Sequence, residues 1–275
     1  MIKDVMVHLD ASAADEVRLA AVDAVAGIFD SHITALFFNL LPVGIAAEDG
    51  IGAAASTRLI EQAREDGDRV EHKLRERLTR LQKPAELRRF DVFGDAVADL
   101  AAQHARAADT FVALRPNGAS NEPERLIESV LFGAGRHLLL VPHHKPVKIK
   151  LDRVLLAWNG SRESARALAE ALPYLRKAQE ATVLVVDDDP LKAAPDGMGQ
   201  HAVDHLRHHG IKAALHRARL RDGDVSATLI AQMRQLKADL VVMGGYGHSR
   251  LREWLLGGTT YELLHRSPVP LLLAH

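Results

Sequence analysis

Residues 151–175 read LDRVLLAW, then NGS, then RESARALAEALPYL, and this stretch decides the kind of fold to expect. The first eight residues form an apolar run of strand length. Asn159-Gly160-Ser161 interrupt it with turn-forming residues. From Arg162 onward, alanines and leucines recur at helical spacing behind a serine suited to a helix N-terminus. A strand, a tight break and a helix make one βα unit.

The chain opens with the same unit. KDVMVHL, residues 3–9, precedes Asp10-Ala11-Ser12 and a second alanine-rich helical stretch. The two ends correspond as well, since HLLLVP runs to Pro142 and PVPLLLAH closes the chain. Short apolar runs predict strands near 3–9, 33–40, 86–92, 110–114 and 137–141 in the first half. In the second half they fall near 152–158, 181–187, 212–218, 239–243 and 269–274. Helical periods fill the gaps, including a long one near 52–82 and a shorter one near 197–209. Strands apolar on both faces belong inside a sheet covered by helices. The expected fold is therefore α/β, with two doubly wound domains. Each is a five-stranded parallel sheet of order 3-2-1-4-5 flanked by helices. Residues 1–142 form the first domain and 151–275 the second. HHKPVKIK, residues 143–150, carries Pro146 and three lysines and reads as the linker.

Composition narrows the function classes. Lys plus Arg number 35 against 36 for Asp plus Glu, so no global basic field draws in nucleic acid. The chain contains no cysteine, which removes disulfides and thiolate metal sites and suits a reducing compartment. MIKDVMVHLD lacks the apolar core of a signal peptide, and no apolar run is long enough to span a bilayer. The expectation is a cytoplasmic protein with neither nucleic-acid nor membrane partners.

In a doubly wound sheet the ligand sits beyond the carboxyl ends of the strands, where the winding direction reverses. In the second half that point lies between the first strand, ending at Trp158-Asn159-Gly160, and the fourth, ending at Met243-Gly244. GGYGHSRLREWLLGGTT, residues 244–260, begins there. It is no Walker A loop, because no Lys-Ser or Lys-Thr follows its glycines, and no dinucleotide fingerprint, because Arg250 stands where the third glycine belongs. Gly244 and Gly247 allow main-chain N–H groups to approach an anion closely. Ser249 to Leu256 reads as a short amphipathic helical turn that Gly257 ends. Thr259 or Thr260 caps the next helix, whose N-terminus favours phosphate. The competing reading is that these glycines only shape a tight turn and a helix-packing contact.

The spacing Gly244-x2-Gly247-x9-Gly257-Gly258 resembles the G-x2-G-x9-G-[S/T] nucleotide signature of the universal stress protein family. Each half also resembles that family's domain in length and βα order. The resemblance implies a tandem universal stress protein that binds ATP or a related adenine nucleotide, with or without Mg²⁺. The implied contacts are Ala157, Trp158, Asn159, Val185, Met243, Gly244, Gly247, His248, Ser249, Arg250, Gly257, Gly258, Thr259 and Thr260. It implies a stress-response regulatory or sensor role with slow hydrolysis at most, and no catalytic residue is assigned. Two departures stand out. Asn159 replaces the usual acid, which removes a charge for a metal, and Gly258 replaces the usual Ser or Thr, which removes a hydroxyl. Alternatives are an interaction module of the same fold that binds no nucleotide, and a slow nucleotide hydrolase.

The first half lacks the loop. In DTFVALRPNGASNEPERLIESVLFGAGRHLLLVP, residues 109–142, Leu114 and Arg115 stand where Met243 and Gly244 do, and Pro116 offers no N–H. This half reads as a degenerate partner, with the last strands of both halves, near 137–141 and 269–274, as candidates for the contact between them. A tandem chain can build that pair internally and can pair again as a homodimer. Other features carry blander expectations. His201, His205, His208 and His209 read as a solvated helix rather than a metal site. Asp187-Asp188-Asp189 reads as a solvated turn, and Trp158 as either a lid on a base or core. Ser12 and Ser161 read as helix-opening residues.

Overall fold

A computed structural model describes residues 1–43, 50–94, 96–116, 124–143, 149–187, 197–245 and 258–275, with the backbone alone for 50–53. In the first half, β1 (Asp4–Leu9), α1 (Asp15–Phe29), β2 (His32–Leu41), α2 (Gly50–Leu78) and β3 (Ala85–Phe93) lead to α3 (Val97–Ala105), β4 (Thr110–Leu114), α4 (Glu124–Gly133) and β5 (Leu138–Val141). The second half follows with β6 (Arg153–Ala157), α5 (Arg162–Leu175), β7 (Glu180–Asp187), α6 (Gln200–His208) and β8 (Ala213–Arg219). It ends with α7 (Val225–Gln235), β9 (Leu240–Gly244), α8 (Thr259–Arg266) and β10 (Leu271–Ala274). The linker residues 144–148, and the loop residues Gly247, His248, Ser249, Arg250 and Gly257, lie outside the described residues.

The strands form one ten-stranded sheet in the order β3-β2-β1-β4-β5-β10-β9-β6-β7-β8. Each half is parallel in the order 3-2-1-4-5. The halves meet where β5 and β10 run antiparallel, with Leu138, Leu139 and Leu140 opposite Leu273, Leu272 and Leu271. All six leucines are fully buried. Full burial of such a side chain contributes roughly 1.5–3 kcal/mol, so this seam is a substantial apolar contact.

Side chains alternate across the sheet with period two and build two apolar layers. Val5, Val7, Val154, Leu156, Leu272 and Ala274 face one layer. Met6, Phe111, Leu155, Val241, Leu271 and Leu273 face the other. Both layers run through both halves, which is why the strand sequences are apolar at nearly every position.

A polar cluster crosses the join. The Tyr174 hydroxyl of α5 lies 2.8 Å from Thr110 Oγ1 of β4, and Thr110 also bonds to the His137 ring. His137 Nδ1 meets Glu170 Oε2 at 3.1 Å, and the Arg166 guanidinium donates to the Gly135 carbonyl at 2.7 Å. Helix α5 thus begins at the carboxyl edge of the second half and packs its later turns on the first. Among the described residues, no helix is long and apolar enough to cross a membrane.

Candidate functional site

The winding of the second half reverses between β6 and β9, and a cavity of about 460 Å³ opens there at the carboxyl ends of the strands. That volume suits a small molecule. Ala157, Trp158 and Asn159 line it from the end of β6, and Leu184, Val185 and Val186 from β7. Met243 and Gly244 contribute the end of β9, while Val225 and Leu229 form an apolar wall from α7. Ser161, Glu163 and Ser164 enter from the first turn of α5, and Thr259 and Thr260 from the first turn of α8. An apolar bowl with a polar rim suits a ligand with a flat apolar part and a polar end.

The end of β6 is held in place by the backbone. The Trp158 N–H donates to Leu184 O at 2.9 Å. The half-buried indole packs on the core and also borders the cavity. Asn159 Oδ1 accepts the Ser161 N–H at 3.1 Å. That bond fixes the amide orientation and leaves the NH₂ group as the donor that a ligand can use. Ser161 caps α5 through the Ser164 N–H at 3.1 Å, as its sequence position suggests.

Strand alternation sorts the main-chain groups. Leu184 O serves β6 and Asp187 O accepts from Leu220 on the β8 side. Odd positions of β7 therefore face β8, and the N–H and C=O of Val186 face the cleft beyond the end of β6. The Val185 backbone faces β8, and its side chain stands on the cavity wall. By the same alternation Gly244 turns its N–H toward the cleft, because the Gly245 N–H donates to Ala274 O on β10 at 2.9 Å. The Gly245 carbonyl accepts from His275 Nδ1 at 3.0 Å, so both polar groups of Gly245 are used within the protein.

Gly244 has a structural requirement that sequence spacing does not disclose. A Cβ there would lie 2.6 Å from Glu163 C and 2.7 Å from both Glu163 Cβ and Ser164 N. The visitor that excludes a side chain at this glycine is the first turn of α5. Helix packing, the competing reading of the glycines, thus holds at Gly244, while the amide remains on the cleft side.

Three helices start at the cavity. α5 is capped by Ser161 and α7 by Asp224, whose carboxylate accepts the Ala227 N–H at 2.9 Å. α8 starts at Gly258, which has extended backbone and supplies no side-chain cap. Gly258 thus offers no hydroxyl to the α8 start, and a helix N-terminus favours an anion. Glu163 is the residue that sequence reasoning passed over. It is buried on the cavity wall, and its carboxyl is held below the usual range by its own backbone N–H, against the opposing effect of burial and with help from Arg162 and Ser161. Its place in the first turn behind a capping serine was the available signal.

The histidines of α6 stand mostly exposed on the surface, and no group of three metal-ligating side chains occurs among the described residues. Asp187 pairs with Arg217 at 3.0 Å, while Asp188 and Asp189 lie outside the described residues.

The family model of the universal stress proteins matches residues 150–275. The second half is a universal stress protein domain. No curated protein matches the sequence. Nearly the whole chain is similar in fold to a universal stress protein from Archaeoglobus fulgidus, with a TM-score of 0.74 at 18% identity over 98% of this chain and 95% of that one. A Pseudomonas aeruginosa structure assigned to the same family gives 0.61 at 16% identity over 99% and 93% of the two chains. At these identities the likeness is one of fold, and it extends over both halves.

The first half keeps the universal stress protein fold and fills the corresponding place. Strand registers align Leu114 with Gly244 and Arg115 with Gly245, one residue later than the sequence reading had them. Leu114 is fully buried where the second half needs a glycine. α1 accordingly starts five residues after Asp10, whereas α5 starts three after Asn159. Its N-cap is Ala14, so Ser12 does not open the helix, although Ser12 Oγ accepts the Ala14 N–H at 3.2 Å. Buried Arg18 reaches Asp10 at 2.9 Å and Asp15 at 2.7 Å. An internal ion cluster thus holds the acid that the second half lacks.

Proposed function

We propose that the second half binds an adenine nucleotide in the cleft between β6 and β9, and that the protein acts as a stress-response regulator or sensor. The observation that carries this reading is the cavity itself. It lies at the winding reversal of a universal stress protein domain, with an apolar bowl and the start of α8 on its rim. The base would lie between Trp158 and the Val225–Leu229 wall, within reach of the Val186 backbone. The phosphates would lie toward Gly244 and Thr259, continuous with the glycine-rich loop. ATP is the nucleotide the loop spacing favours.

In this reading the first half is a second, degenerate universal-stress-protein-like domain, and pairing through β5 and β10 takes the place of a dimer contact. In this reading the output is a change of shape or partner rather than rapid turnover. The protein would act in the cytoplasm. Releasing bound small molecules from purified protein by denaturation, with titration of ATP and AMP into stripped protein, tests the reading. A saturable one-site isotherm supports it, and absence of both released nucleotide and binding removes it.

A second reading has one observation in its favour. Gly244 is required by α5 packing, so its presence does not by itself demand a ligand. An interaction module without nucleotide would keep the same glycine, and the same titration separates the two.

A further inference from the structure

At the two ends of the ten-stranded sheet stand β3 and β8. On β3 the Pro84 carbonyl accepts the Ile33 N–H at 2.9 Å, so the even positions of the strand turn their main-chain groups toward β2. The N–H and C=O groups of Ala85, Leu87 and Arg89 therefore point outward, away from the sheet. The Leu87 carbonyl is met there by the tip of the exposed Arg75 side chain at 3.4 Å, a long bond that a main-chain N–H can replace. A cleft of about 470 Å³, lined by Leu78, Leu81, Ala85 and Leu87 among others, lies beside the same edge. Charge usually blunts a free edge, and both edges carry it. β8 reads AALHRAR, with Arg217 and Arg219 and no acid, so it repels a copy of itself. β3 reads AELRRFDVF and carries both signs. Glu86 and Arg88 stand two apart on one face, half exposed, and already bond to each other.

We propose that β3 is a docking edge for a second copy of this chain: two β3 strands pair antiparallel about Leu87, held by their outward main-chain groups and by reciprocal Glu86–Arg88 pairs. The register follows from charge. Centring on Leu87 sets Glu86 opposite Arg88 and Arg88 opposite Glu86. Their main-chain groups face away from the join, the kind of pair whose side chains stand closest. Lys83 falls opposite Asp91 in the same register. Centring one residue to either side sets Arg88 on Arg88 or Glu86 on Glu86, and like charges directly opposite are destabilising. The contact is isologous and closes at two copies. It repeats between chains the antiparallel join that β5 and β10 make within one. It does not depend on what the second half binds.

The experiment is sedimentation equilibrium of the full chain between about 1 and 100 µM. The wild type should approach the mass of two chains as concentration rises. Glu86→Arg and Arg88→Glu each set like charges opposite one another, and each should weaken self-association by at least about tenfold. An equimolar mixture of these two variants restores both opposite-charge pairs. It should associate within about threefold of the wild-type affinity. The double variant carrying Glu86→Arg and Arg88→Glu restores the pairs with itself and should dimerise likewise. A wild type that stays monomeric throughout this range overturns the proposal without any variant having to fold. A dimer that both single variants retain also overturns it, because the contact then lies elsewhere. So does loss of association in the single variants without recovery in the mixture, since the reciprocal pairing would then be absent.

Discussion

The Tyr174 hydroxyl of α5 meets Thr110 Oγ1 of β4 at 2.8 Å, so a buried hydrogen bond joins the two halves of the chain. Both side chains are fully buried. The Tyr174 ring also packs edge-on against Phe29, with centroids 4.9 Å apart. Tyr174→Phe keeps the ring and removes the bond, and Thr110 retains His137. We expect a loss of about 1 kcal/mol in unfolding free energy, read from denaturant melts. No change would mean that the hydroxyl is satisfied equally well in the unfolded chain.

Glu170 gives the join an acid limit. Burial pushes its carboxyl up, but the bond to His137 and the charges of His137, Arg166 and Arg136 outweigh this and lower it below the usual value of 4.5. A lowered carboxyl adds stability that is fully present above its unfolded pKa and is lost as pH falls through the folded value. Melting temperature should therefore decline below about pH 4.5 in the wild type, and less steeply in Glu170→Gln, which starts lower at neutral pH. Parallel curves for the two proteins would show that Glu170 is not part of the acid response.

Arg115 makes the opposite point. It is 4% exposed, and its Nε and Nη1 have no hydrogen-bond partner among the described residues. Burial lowers its pKa from 12.5 to about 10. Below that value the cost of burying the charge is fully present, and it is relieved only as pH rises toward 12.5. Arg115→Met should stabilise the protein at neutral pH by about 1–4 kcal/mol, because the stem stays packed and the charge is gone. A lower melting temperature would mean that the guanidinium finds a counter-charge in solution.

Gly244 and Gly245 provide a matched pair. A Cβ on Gly244 meets the backbone of α5 at 2.6 Å, whereas one on Gly245 meets the tip of Leu131 at 3.2 Å. Backbone cannot yield as a side-chain end can. Gly244→Ala should cost about 1–3 kcal/mol and Gly245→Ala clearly less. The reverse order in thermal melts would contradict the packing assigned to the start of α5.

Much of the fold was legible because its signals are local. Apolar runs such as LLLV at β5 and LVVM in β9 mark strands, and the repeat of KDVMVHL in LDRVLLAW marks the duplication. Register was not legible. Leu114 against Met243 or Gly244 differs by one residue. A one-residue slip changes which groups face the cleft without altering the apolar pattern that marks the strand. Ser12 and Ser161 have equivalent sequence settings, yet only Ser161 caps a helix, because buried Leu114 stands where Gly244 lets α5 begin early. The role of Gly244 also escaped sequence reading. Its partner, Glu163, is 81 residues away, and nothing local to either residue shows the contact.

The central claim is that the hollow between β6 and β9 is a nucleotide site, and filling it tests that claim most directly. Val225 lies on its apolar wall at the start of α7 and is only partly buried, so Val225→Trp can occupy the space while the sheet stays intact. Adenine nucleotide with Mg²⁺ should bind the wild type at one saturable site and fail to bind the variant, with the two proteins showing the same far-ultraviolet spectrum. Equal affinity in both, or no binding to the wild type, would contradict the account.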